Sequence, residues 1–203
     1  MVYSSGMHTI ADVRPQHRRA LAAASEVVAR VRARDLSRPT PCAGWDLGTL
    51  LGHMIGQNDG FALAVSTGDA DESDYAAPVI GPDEASEAWT RSVDRVVTAF
   101  DNSELEREVR LVEIDPYGNF PAGVVVGMHL LDTVIHTWDV AISLGEAYRP
   151  DDELVDIVAA QAERVPAGTA RTRPGAAFAP VVGAPRSDPW LNALAMLGRS
   201  NPD

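Results

Sequence analysis

The chain is poor in cysteine. Its single thiol, Cys42, excludes an internal disulfide and fits a reducing, cytoplasmic setting. It is also short of positive charge. Seventeen Lys and Arg stand against 29 Asp and Glu, for a net charge of -12. A chain this acidic repels phosphate backbones, and no basic patch with interleaved aromatics is present, so nucleic acid is not an expected partner. No apolar run reaches the roughly 18 residues of a membrane span without polar interruption, so no membrane segment is expected. The opening stretch MVYSSGMHTIADVRPQ lacks the apolar core of a secretion signal. Residues 1–9 read as a disordered leader or cloning remnant, with Met7 as an alternative start. Residues 10–203 read as one domain. Repeats and low-complexity tracts are absent.

What is present is an ordinary globular composition, 45% hydrophobic over 203 residues, enough to bury a sizeable core. Most of it is patterned for helices. Residues 14–35 carry Leu21, Ala24, Val28 and Val31 at helical spacing, with arginines opposite. A second helix starts after Trp45, with Asp46 as N-cap. It carries Gly48, Gly52, Gly56 and Gly60, a spacing that predicts close approach of another backbone along one face. A polar loop follows over residues 66–81. Residues 82–102 predict a third helix, opened by Pro82 and early acids. VRLVEI resembles a short strand but has no evident partner, so the stretch before Pro121 reads as an irregular crossover. Pro121 opens a fourth, very apolar helix running to about Gly145. A fifth is expected over 151–166 and a short one over 189–198, with Gly-, Ala- and Pro-rich loop between them on the surface. The predicted fold class is all-α: a four-helix bundle with long crossover connections and a loop-rich C-terminal extension containing short helices.

The fourth helix poses the functional question. Its segment 122–145 contains no Lys, Arg or Glu, and its strongest polar groups are His129, Asp132, His136 and Asp139. With His129 at zero, the other three fall at about 300°, 340° and 280° on a helix that turns roughly 100° per residue. They form one narrow stripe on an otherwise apolar cylinder, with Trp138 on the apolar side. A water-facing stripe normally uses long charges, and this one has none. Asp132 and His136 are i and i+4, which places their Cβ atoms about 5–6 Å apart on one face. That spacing lets a carboxylate and an imidazole share a divalent metal. A third ligand must come from elsewhere, and His53, set among apolar residues in the second helix, is the best placed. His8 and His17 read as solvated, His17 because arginines flank it. Three protein ligands leave an open coordination position, as catalytic sites do. A purely structural polar stripe is the alternative.

TPCAGWDLGTLLGHM, followed by HLLDTVIHTWDVA and a PWLNALAMLGR tail, resembles the mycothiol-dependent maleylpyruvate isomerase N-terminal-type family, part of the DinB-like (YfiT-like) metal-binding bundles. The resemblance spans roughly residues 10–200. It implies one divalent ion on His53, Asp132 and His136, with His129 as a fallback ligand and Asp139 as an acceptor orienting an imidazole. Zinc is the first expectation, and nickel, iron or manganese also suit the set. Where the isomerases carry Glu, this chain has the shorter Asp132. The resemblance further implies a small-molecule thiol of the mycothiol type, deprotonated by the metal, and an electrophilic partner that it attacks. The isomerases have a separate C-terminal domain, and the residues after the fifth helix are too few and too loop-rich for one. A thiol S-transferase is therefore expected ahead of isomerase activity, and a non-catalytic metal- or ligand-binding bundle is the rival reading. Cys42 reads as part of a structural turn. A homodimer is the default assembly.

Overall fold

The computed structural model describes residues 11–81, 84–112, 114, 118–172, 178–183 and 185–200. The expected leader and His8 lie outside the described residues. The all-α expectation holds. Helices α1 (Arg14–Val28), α2 (Leu47–Thr67), α3 (Ala85–Asp101) and α4 (Ala122–Ser143) pack as a bundle, α2 against α3 and α4, and α1 against α3 and α4. Helices α5 (Asp152–Ala162) and α6 (Pro189–Met196) pack on each other, and α5 on α4. Among the described residues no helix is long and apolar enough to cross a membrane.

Local chemistry sets the helix ends. Asp46 caps α2 by accepting from the Thr49 amide at 2.8 Å and the Thr49 hydroxyl at 2.6 Å. Asp151 and Asp188 cap α5 and α6 in the same way, through the amides of Leu154 and Leu191. Helix α1 is shorter than predicted. It stops at Val28, and Ala33–Asp35 forms a separate 3-10 turn in which the Asp35 carboxylate accepts from the Arg32 amide at 3.1 Å. That side-chain acceptor offers the backbone a local alternative to continuing the helix. Helix α4 begins one residue after Pro121, which is its N-cap. The first residues predicted for the third helix, 82 and 83, lie outside the described residues.

The stretch read as a partnerless crossover is instead half of a hairpin. Strand β1 (Glu108–Arg110) pairs antiparallel with β2 (Asn119–Pro121), Val109 opposite Phe120. The partner strand carries little sequence signal because it is three residues long and runs directly into α4. Val109 is fully buried, which anchors the hairpin to the core.

The glycines of α2 do meet another backbone closely, but it belongs to residues 75–78, at and just after the end of the 3-10 turn Glu72–Tyr75, rather than to another helix of the bundle. A Cβ at Gly52 would lie 2.5 Å from the Pro78 carbonyl oxygen, and one at Gly56 2.5 Å from that of Tyr75. At Gly60 it would lie 2.3 Å from the Tyr75 ring. Gly56→Ala is therefore expected to destabilise the protein in urea unfolding. Alanine gains up to ~1 kcal/mol of helix propensity, but overpacking against fixed backbone costs about 1–3 kcal/mol, and the clash wins. A midpoint at or above that of the wild type would refute the packing argument.

The core has two lobes. One lies between α1, α2, α3 and one side of α4, around Leu50, Ile55, Val96 and Phe100. The other lies between the far side of α4 and the C-terminal helices, around Leu130, Trp138, Leu154, Val158, Trp190 and Leu194. Trp138 is core, as predicted. The C-terminal extension is less superficial than expected. Arg171 is buried and donates to the carbonyls of Val165, Pro166, Ala179 and Met196, which ties the loop to the end of α6.

Candidate metal centre

Helix α4 is buried around most of its circumference, so its polar residues must find partners inside. They do so at three levels. In the middle, Asp132 and His136 meet His53 of α2, and one ligand atom from each of the three falls within 4.8 Å of the others. His136 Nε2 is 3.3 Å from Asp132 Oδ1, so the shorter carboxylate reaches. The rings of His53 and His136 stand edge to face, with centroids 5.0 Å apart. His53 and Asp132 are half-buried whereas His136 is 4% exposed, so the trio is backed by protein and reachable from one side. Trp45 walls that region, its ring 4.9 Å from His53 and 6.4 Å from His136.

The three side chains set one another's charge. Burial pushes His53 down to about 4, so its ring is neutral at pH 7. Burial also works against a charged His136, but the carboxylates of Asp132 and Asp139 overcome it and hold its pKa well above 6.5. Burial disfavours the Asp132 anion too, yet His136 and His53 keep it well below the usual carboxylate range. Without a metal, a proton on His136 faces Asp132 and stands in for the cation. Two imidazoles and one carboxylate converging on a common point form a donor set that suits a divalent ion.

One turn further on, Asp139 lies behind His136. Its carboxylate is wholly buried and accepts from His136 Nδ1 at 2.8 Å. Its other two partners have no local sequence signal. Arg199 donates through Nη2 at 2.9 Å to Oδ2 and through Nε at 3.3 Å to Oδ1. The Cys42 thiol donates to Oδ2 at 3.2 Å and lies 3.9 Å from His136 Nδ1. Cys42 does sit in a structural turn. The Thr40 hydroxyl donates to the carbonyls of Cys42 and Trp45, and Gly44 takes φ 83° to close the loop. That turn aims the thiol at Asp139.

His129, the fallback ligand, is not part of the trio. It lies seven residues before His136, about 10 Å along a helix rising ~1.5 Å per residue. It faces α1 instead, where its Nδ1 is 2.8 Å from His17 Nε2. His17 is not solvated but 1% exposed. It lies on the same face as Ala20, Leu21 and Ala24, while Arg14, Arg18 and Arg19 turn outward to Asp12, Asp101 and Glu153. The i, i+3, i+4, i+7 spacing carried that signal, and the flanking arginines masked it.

The helical bundle is of the DinB-like fold class. Within that class, residues 17–141 match the family model described as the mycothiol maleylpyruvate isomerase N-terminal domain, and the chain belongs to that family. Two uncharacterized proteins, from two strains of Mycobacterium tuberculosis, are 30% identical to it over 185 residues, covering 91% of this chain and 96% of each relative. The fold is like that of the crystal structure of a mycothiol-dependent maleylpyruvate isomerase, with a TM-score of 0.57 at 16% identity. A histidine-to-alanine mutant of that enzyme gives the same score at 15% identity. Each likeness covers 73% of this chain and 67% of the other.

Proposed function

We propose that the chain is a divalent-metal-dependent enzyme that transfers a low-molecular-weight thiol of the mycothiol type to an electrophilic small molecule. The observation that carries this reading is the His53, Asp132 and His136 trio, with donor atoms within 4.8 Å and one side open. The family's description, and the mycothiol dependence stated for its structural neighbours, support the thiol. His53, Asp132 and His136 would hold a divalent ion, which would supply the positive charge that favours a thiolate over a thiol at neutral pH. His53 and His136 contribute neutral rings and Asp132 one negative charge, so the donor set leaves one unit of positive charge for an anionic sulfur to neutralise. Asp139 fixes the His136 ring from behind, which turns Nε2 towards the open side. Trp45 offers a flat wall for the organic part of a thiol or its partner.

Elemental analysis of the purified protein is expected to find about one zinc, nickel, iron or manganese ion per chain. After cobalt substitution, adding mycothiol is expected to produce a sulfur-to-metal charge-transfer band. Conjugation of mycothiol to monochlorobimane is expected to require the metal. A metal content near zero would overturn the centre. Full metal with neither a thiol-induced band nor metal-dependent conjugation would leave a non-catalytic binding bundle. Turnover of maleylpyruvate in the same assay would favour isomerase-like chemistry over transfer.

A further inference from the structure

We infer that Arg199, at the end of the C-terminal segment, is a positioning residue of the His53, Asp132 and His136 centre and acts through Asp139. The inference rests on the metal-centre reading above. Asp139 is fully buried, and a buried carboxylate without a countercharge is strongly unfavourable. Arg199 is that countercharge. Its Nη2 and Nε address both carboxylate oxygens, at 2.9 and 3.3 Å, so the carboxylate plane cannot rotate. Oδ2 is thereby held 2.8 Å from His136 Nδ1, and the opposite nitrogen, Nε2, is aimed at Asp132 and His53.

Arg199 is itself held rigidly. Helix α6 ends in a motif in which the Arg199 amide donates to the Leu194 carbonyl at 2.8 Å and the Gly198 amide to that of Ala195 at 3.1 Å. Gly198 takes φ 80°, and a Cβ there would lie 2.7 Å from the Ala179 carbonyl oxygen. This tight turn brings Arg199 inward. Its Nη1 donates to the Leu197 carbonyl at 2.8 Å, and its guanidinium lies 5.8 Å from the Phe178 ring centroid. A centre whose proposed ligands all lie on α2 and α4 therefore depends on the chain terminal to α6.

Arg171 provides the control. Among the described residues it is the other buried arginine of the C-terminal segment, and it donates to the carbonyls of Val165, Pro166, Ala179 and Met196 rather than to the centre. The affinity of the full chain for Co²⁺ is measured by chelator competition, together with the cobalt absorption spectrum. The variants are Arg199→Met, Arg199→Lys, Asp139→Asn and Arg171→Met, each checked for wild-type helicity. Arg199→Met is expected to weaken Co²⁺ binding ~10–100-fold and to alter the spectrum, the range typical of partners that orient a ligand. Arg199→Lys is expected to recover part of the loss. Arg199→Met in an Asp139→Asn background is expected to add little, because the two act in series. Equal weakening by Arg199→Met and Arg171→Met, or a wild-type affinity and spectrum in Arg199→Met, would overturn the inference. Should Arg199→Met not fold, Arg199→Lys alone and combined with Asp139→Asn carries the test, and fully additive losses would overturn it. If the wild type binds no Co²⁺, the centre itself fails. The arrangement is then read in the metal-free protein from the His136 Nδ1 proton by NMR. That proton is expected to be protected in the wild type and exchange-broadened in Arg199→Lys, and no difference would overturn the inference.

Discussion

Replacing His53 with alanine is expected to empty the centre while leaving the bundle folded. His53 stands on α2, half-buried, with its ring against Trp45 and His136. Alanine is a better helix former than histidine, and the lost ring opens space on the side already reached by solvent. The loss of fold stability should therefore be small. The loss of metal should not. Asp132 and His136 alone form a two-donor set, and the remaining proton on His136 competes with the cation for Asp132. Affinity is expected to fall by more than the ~10–100-fold typical of losing a residue that merely orients a ligand. The thiol-induced cobalt band and metal-dependent conjugation should vanish with it. Elemental analysis, chelator competition and a thermal melt on the same preparation check this. A folded His53→Ala protein that keeps its metal would remove His53 from the centre. His136→Ala is less informative, because it leaves two carboxylates facing the cavity it creates, and fold and metal would fail together.

The parts of this molecule that could be read from its sequence are those carried by local spacing. Asp46 followed by an apolar helix marked the start of α2 within one residue. The i, i+4 pair on an apolar helix singled out Asp132 and His136, and a histidine among aliphatics on a second helix singled out His53. The structure brings those three together. What stayed hidden depends on pairings between distant segments. Arg199 lies 60 residues from Asp139, in a tail whose local pattern signals only a helix end. Its role is decided by where the Gly198 turn points. Cys42 looked isolated because its acidic and imidazole neighbours come from α4, not from the adjacent sequence. β2 was hidden by its length. His17 is a different case. Its helical spacing places it inside, and the arginines beside it, which turn outward, obscure that period.

The His17 and His129 pair is expected to make the fold acid-sensitive, independently of any metal. One ring must donate and the other accept across the 2.8 Å contact, and the Thr133 hydroxyl lies 3.3 Å from the same His129 nitrogen. The other nitrogen of His129, Nε2, has no hydrogen-bond partner among the described residues. The pair is enclosed by the rings of Phe61 and Phe100. Adding a second proton would set two N–H groups against each other in an apolar cage. Burial accordingly pushes His129 down to about 4, although Asp132 opposes it, and holds His17 well below 6.5, helped by His129 and Arg18. Both folded-state values lie below the unfolded one, so below 6.5 the unfolded chain binds more protons. The pair's contribution to stability is complete above about pH 6.5 and is lost as pH falls towards 4. A shift from 6.5 to about 4 at His129 corresponds to about 3 kcal/mol at 1.36 kcal/mol per pK unit. Urea unfolding of the chelator-treated protein over this pH range, compared with a His17→Leu/His129→Leu double variant, isolates the pair. His53 and His136 are common to both proteins and cancel in the comparison. The wild type is expected to lose at least about 3 kcal/mol more than the double variant between neutral pH and the lower limit, the His129 share alone, with His17 adding in the same direction. Two stability curves of the same slope would show that the buried pair does not titrate with unfolding.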